Sequence, residues 1–115
     1  MTLAIESAGT LAGEIRDGQI SSRELADYYI ARIERFDGPL NAVPVRDFDH
    51  ARVAADAADA AMVAGRFLGP LHGLPMTIEE SFNIAGLPTT WGHPALKDNV
   101  GRTDAAGNVL RPVHD

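Results

Sequence analysis

Apolar positions recur at helical spacing through the first half of the chain and alternate at strand spacing only briefly. Leu11 and Ile15 lie four apart with Ala8 and Ala12 beside them, which predicts a helix over residues 7–17. Ser7 is placed to cap its start and Gly18 to end it. Ser21 and Glu24 have the spacing of a capping box, in which each side chain satisfies a free backbone N–H of the other. Leu25, Tyr28, Tyr29, Ile33 and Phe36 follow on one stripe, and Gly38-Pro39 is the expected stop. Residues 41–46 read as a short strand, at an edge or bulge because Pro44 lacks a donor. Asp47 is the expected cap of a third helix reaching about residue 64, with a stripe of Ala51, Ala54, Ala55, Ala58, Ala61 and Met62. Alanines bury little area but allow a neighbour to approach closely. After the turn-rich Gly69-Pro70-Leu71-His72-Gly73, residues 74–79 alternate: Leu74, Met76 and Ile78 against Pro75, Thr77 and Glu79. This predicts a second strand with Glu79 at its carboxyl end. Residues 83–92 read as loop, 94–98 as a helical turn, and 101–115 show no clear period.

The expected order is helix, helix, strand, helix, strand, then irregular chain. A strand–helix–strand unit points to an α/β fold. Two strands do not make a sound sheet, so residues 1–115 read as part of one α/β domain. No repeat, low-complexity tract or linker interrupts them.

Composition narrows the function classes. The net charge is −6, which disfavours a nucleic-acid surface. No apolar run reaches the roughly 20 residues of a membrane helix, and the N-terminus lacks the features of a secretory signal. There is no cysteine, which removes disulfides, thiol nucleophiles and cysteine metal sites and fits a cytoplasmic location.

Few residues carry a chemical signal. Glu79 and Glu80 are adjacent, so on a strand they point to opposite faces and cannot flank one bond as a glycosidase pair does. His50, His72, His93 and His114 are scattered without zinc-site spacing and read as surface or loop residues. Ser7, Ser21 and Ser22 are explained by helix starts. Ser81, two residues past Glu79, fits a local turn contact better than a nucleophile–base pair. No G-x-S-x-G elbow and no phosphate loop is present. Trp91, the sole tryptophan, sits in a Gly/Pro loop, where it either lines a pocket or covers an open edge of the core.

Two longer strings add to this reading. Gly69-Pro70-Leu71-His72-Gly73-Leu74-Pro75-Met76-Thr77-Ile78, followed by Gly86-Leu87-Pro88-Thr89-Thr90-Trp91-Gly92, resembles the amidase signature family. Ser21-Ser22-x-Glu24-Leu25, Leu40-Asn41-Ala42-Val43 and Asp59-Ala60-Ala61 match the same family's N-terminal region. The resemblance runs from about residue 7 to residue 106. It implies an α/β/α layered fold around a mixed sheet and hydrolysis of carboxamide C–N bonds, or transfer of the ammonia released. It implies two serines and a neutral lysine as the machinery, with no cofactor and no metal. The lysine takes a proton from a bridging serine, which activates the nucleophilic serine, and backbone N–H groups hold the oxyanion.

The sequence departs from that pattern in three places. Glu79 stands at the position of the family's lysine, and Lys97, the only lysine, does not match it. The Gly/Ser-rich stretch with both catalytic serines is absent. The match fails near Gly107, leaving residues 107–115 as a divergent tail. The expectation is an amidase relative by descent, truncated and catalytically inactive alone, with no intact catalytic residue. A small carboxamide is then a substrate only if a C-terminal part completes the site. The alternative is a non-catalytic interaction module that pairs with itself or with a complementing chain, with neither nucleic acid nor membrane as partner. A third reading is a carboxylate enzyme built on Glu79, Ser81 and His72, which requires those three to converge.

Overall fold

The computed structural model describes residues 3–105. The predicted tail over 107–115, with His114, lies outside the described residues. The chain divides into two compact units, Met1–Met76 and Thr77–Asp115.

The first unit is helical. A 3₁₀ turn at Leu3–Ile5 precedes α1 (Ala8–Arg16), α2 (Ser22–Leu40) and α3 (Phe48–Val63). Ser7 caps α1 by accepting from the Thr10 N–H, and the Ser21–Glu24 capping box opens α2, as the sequence predicts. Leu11, Ile15 and Leu25 form the buried core, with Leu3, Ile20, Tyr29 and Leu74 packed against it. The Tyr29 hydroxyl donates to the Leu3 carbonyl at 3.1 Å, tying the N-terminal turn to α2. Helix α3 packs on α2, and Ala55, Ala58 and Ala61 are its buried stripe. The buried positions of α2 are Ser22, Leu25, Ala26, Ile30 and Asp37, whereas Phe36 of the predicted stripe is 47% exposed.

Both predicted strands are corrected. The described residues contain helices and turns but no strand, so the expected α/β class does not hold for them. In residues 41–46, Asn41 adopts a left-handed φ of 50° as the C-cap of α2. The N–H groups of Ala42 and Val43 donate to the Asp37 carboxylate at 2.7 and 3.1 Å. Those donors are therefore unavailable to a ladder. In residues 74–79 the alternation is real, but the Leu74 N–H closes a turn onto the Leu71 carbonyl and no neighbouring strand is present among the described residues. A strand is defined by its partner, and a period of two supplies only its faces.

Helix α2 also passes the expected stop at Gly38-Pro39 and ends at Leu40. Proline removes one N–H and crowds the preceding turn, which is most tolerable where a helix is about to end. Asp47 stands at the start of α3, but its side chain makes no cap bond and pairs with His50 Nδ1 at 2.8 Å instead.

The second unit is a set of turns. The Gly86 N–H donates to the Gly101 carbonyl, the Gly101 N–H to Leu87 and the Thr89 N–H to Asn99. One isolated antiparallel bridge joins Pro88 and Val100. A side chain at Gly101 would lie 2.8 Å from the Ile84 carbonyl oxygen, so that crossing requires glycine. Pro94–Leu96 forms a 3₁₀ turn, shorter than the helical turn expected over 94–98.

Candidate functional site

Two polar clusters stand out, one in each unit. The first gathers residues that are distant in sequence around the start of α2. Asp59, on α3, accepts from the backbone N–H groups of Ser22 and Arg23 at 2.7 and 3.0 Å. A helix N-terminus leaves its first N–H groups free and carries a partial positive charge, so a carboxylate there is doubly favourable. The buried Ser22 hydroxyl donates to the Gly73 carbonyl at 2.6 Å. Gly73 has φ +77°, and a Cβ there would lie 3.1 Å from the Ser22 Cβ. His72, beside it, is 7% exposed. Its Nε2 bonds to the Ala58 carbonyl at 2.9 Å, and its Nδ1 accepts from the Leu68 N–H at 3.2 Å. The carbonyl requires the proton on Nε2, so both ring nitrogens are occupied and neither is free as a base. His72 is thus a loop histidine, as expected, but a buried structural one and not a surface residue.

The second cluster centres on Glu80. Its Oε1 accepts from the Thr90 N–H at 2.7 Å and from the Thr90 hydroxyl at 2.5 Å, and its Oε2 accepts from the Trp91 N–H at 2.6 Å. The Gly92 N–H donates to Thr90 Oγ1 at 3.2 Å. The Thr90 hydroxyl bond is the largest influence on the Glu80 carboxyl. With the N–H groups of Thr90, Trp91 and Gly92 it outweighs burial and holds the group below the usual carboxylate range. Trp91 is held at φ +55° with 71% of its surface exposed. A non-glycine residue in this region costs on the order of 1–3 kcal/mol and persists where surrounding structure enforces it. Two residues earlier, Thr89 is buried and its hydroxyl has no partner among the described residues.

The other candidates do not converge. Glu79 is exposed, its side chain has no hydrogen bond or ion pair among the described residues, and no bond joins it to Ser81. With both nitrogens of His72 engaged elsewhere, the Glu79–Ser81–His72 enzyme is excluded. Ser7 and Ser21 are caps, and Ser22 is committed to Gly73. His93 caps the short turn at Pro94–Leu96 through Nδ1, and Lys97 is an exposed residue at its end. No group of His, Asp and Glu able to hold a metal occurs among the described residues. No helix there is long and apolar enough to cross a membrane. Read from sequence, Glu80 is weighed only as a glycosidase partner of Glu79 and is assigned no other role. The signal available was a carboxylate ten residues before a Thr-Trp-Gly run whose N–H groups need acceptors.

Comparison with known proteins identifies the family. The Amidase family profile matches residues 24–107. The chain is 36% identical over 106 residues to an acylamidase of Rhodococcus erythropolis, covering 90% of this chain and 21% of the relative. It is 40% identical over 99 residues to an indoleacetamide hydrolase of Bradyrhizobium diazoefficiens, covering 86% of this chain and 19% of that one. A solved bacterial aryl acylamidase of the amidase signature family superimposes with a TM-score of 0.78 at 36% identity, covering 89% of this chain and 21% of that chain. A chain of a vestigial protein complex, described as revealing the origins of an s-triazine catabolic enzyme, gives 0.81 at 32% identity over 87% of this chain and 22% of its own. The chain therefore spans about a fifth of the length of these relatives. With its profile match across most of the sequence, it belongs to the amidase family.

Proposed function

We propose that this chain is part of an amidase-type C–N hydrolase, and that these 115 residues alone do not turn over carboxamides. One observation carries the reading. Glu79, where the resemblance puts the family's lysine, is an exposed carboxylate without a partner among the described residues. Its charge is opposite to that of a lysine and its reach is shorter. A serine is a weak nucleophile without a base beside it. The serines add support: Ser7, Ser21 and Ser22 are committed to caps and to Gly73, and Ser81 has no base bonded to it. The test is ammonia release from aliphatic and aromatic carboxamides by the 115-residue chain and by its Glu79→Lys variant. Both are expected to match the uncatalysed rate, because the lysine alone restores no serine pair. Turnover by either overturns the proposal.

A second reading, a non-catalytic module that pairs with itself or with a complementing chain, is favoured by one feature. Val63, Phe67, Leu68, Leu71 and Met76 are all exposed within one short stretch of the first unit. Large exposed apolar side chains that adjoin in space mark contact surfaces.

A further inference from the structure

The Glu80 cluster is not accounted for by the reading above. Its carboxylate takes three bonds of 2.5 to 2.7 Å from Thr90 and Trp91, more than a surface glutamate needs. The result is a tryptophan in the left-handed region, a conformation that glycine adopts freely, yet with most of its surface in solvent. The unpartnered buried hydroxyl of Thr89 lies two residues earlier. Strained backbone and unsatisfied buried polar groups cluster where proteins hold ligands. The clasp also fixes the backbone from which the indole projects. Because Glu80 bonds to the Trp91 N–H directly, Trp91 is held beside the 79–80 segment, where the resemblance places the reacting centre of the family.

We propose that Glu80 is a positioning residue whose carboxylate presents the Trp91 indole as a stacking wall for the planar aromatic part of a carboxamide ligand. An indole face accepts flat rings by offset stacking, and a wall held by its backbone loses less freedom on binding than a mobile one. The proposal rests on the amidase-type reading for its ligand class and on the Glu80–Trp91 geometry for everything else. An aliphatic amide lacks the ring, so it gains nothing from the wall.

The test is a nuclear magnetic resonance titration of the 115-residue chain with benzamide, and with acetamide as the ring-free control. Benzamide is expected to shift the Trp91 indole N–H saturably in the millimolar range, and acetamide to leave it in place. Glu80→Gln keeps the shape of the side chain but loses the charged acceptor for the Trp91 N–H. It is expected to move the Trp91 backbone N–H resonance upfield and to weaken the benzamide response several-fold. Trp91→Gly relieves the backbone strain, so it is expected to retain thermal stability while the benzamide response at Thr90 and Gly92 disappears. An unshifted indole in the parent chain, an equal response in Glu80→Gln, or a clear loss of stability in Trp91→Gly each overturns the proposal. Ammonia release followed in the same samples reads the amidase-type proposal separately, since binding and turnover are different signals.

Discussion

At the scale of single residues, the positions that looked like family signature turn out to have local physical tasks. Ser21 and Glu24 close a capping box, which was legible because both partners lie within one turn. Asp59 completes the same helix start from α3, a contact between residues 36 and 37 positions apart, and no local pattern announces it. Gly73 is fixed by two requirements at once, a positive φ and the close approach of Ser22. Replacing Asp59 by alanine strips two N–H groups of their acceptor while leaving the α3 backbone a good helix former. Loss of a helix cap costs about 1 kcal/mol. Asp59→Ala should therefore lower the urea midpoint of helix unfolding, followed by circular dichroism, and the unfolding free energy extrapolated from it should fall by about 1 kcal/mol. Gly73→Ala should lower it further, since the new methyl meets Ser22 and the backbone is strained as well. An Asp59→Ala chain as stable as the parent would show that the cap is dispensable.

At the scale of elements, the three helices were legible, and their ends were less so. Helix α2 illustrates why. Gly38-Pro39 carries a stop signal in its local chemistry, but Asp37 reaches past it to take the N–H groups of Ala42 and Val43, with Arg46 at 3.4 Å. Asp37 is 5% exposed. Burial by itself pushes its carboxyl up, but the bonds from Ala42, Val43 and Arg46 outweigh that and hold it below the usual carboxylate range. The sign of the pH dependence follows. A carboxyl with a depressed folded value contributes stability above its unfolded value, about pH 3.9, and loses it as the pH falls through the lower folded value. Asp37→Asn should thus be less stable than the parent at neutral pH, and the gap should close as the pH falls below about 4. Helical circular dichroism during urea titration at about pH 7 and at about pH 3 reads both. A gap that stays constant across that range would mean that the charge on Asp37 contributes nothing to the turn between α2 and α3. The ion pairs Arg52–Asp27 and Arg23–Asp56 also join these helices, while Arg23–Asp27 lies within α2. They are partly exposed, and such pairs are worth little individually.

At the scale of the whole molecule, the family was legible from short strings, whereas the α/β class inferred beside it was not. The strings record side-chain identities that survive in any context. A strand needs a neighbour to donate and accept along its length, and the described residues supply none to 41–46 or 74–79. Large apolar side chains also stand in water. In the first unit Val63 is 91% exposed, Leu68 61% and Met76 57%, and Phe67 and Leu71 accompany them. Each large apolar side chain withdrawn from water is worth roughly 1.5–3 kcal/mol. Covering even part of this stretch by another copy of the chain is therefore a substantial driving force, and the net charge of −6 opposes it only at long range in low salt. Sedimentation velocity at increasing protein concentration should show a rising weight-average sedimentation coefficient, and added salt should steepen the rise by screening the charge. Leu68→Ser combined with Met76→Ser should restore a concentration-independent value while leaving the helical signal intact, because both residues lie outside α1, α2 and α3. A parent chain that stays monomeric throughout the series would remove the pairing reading. An equally associating double variant would move the contact away from this stretch.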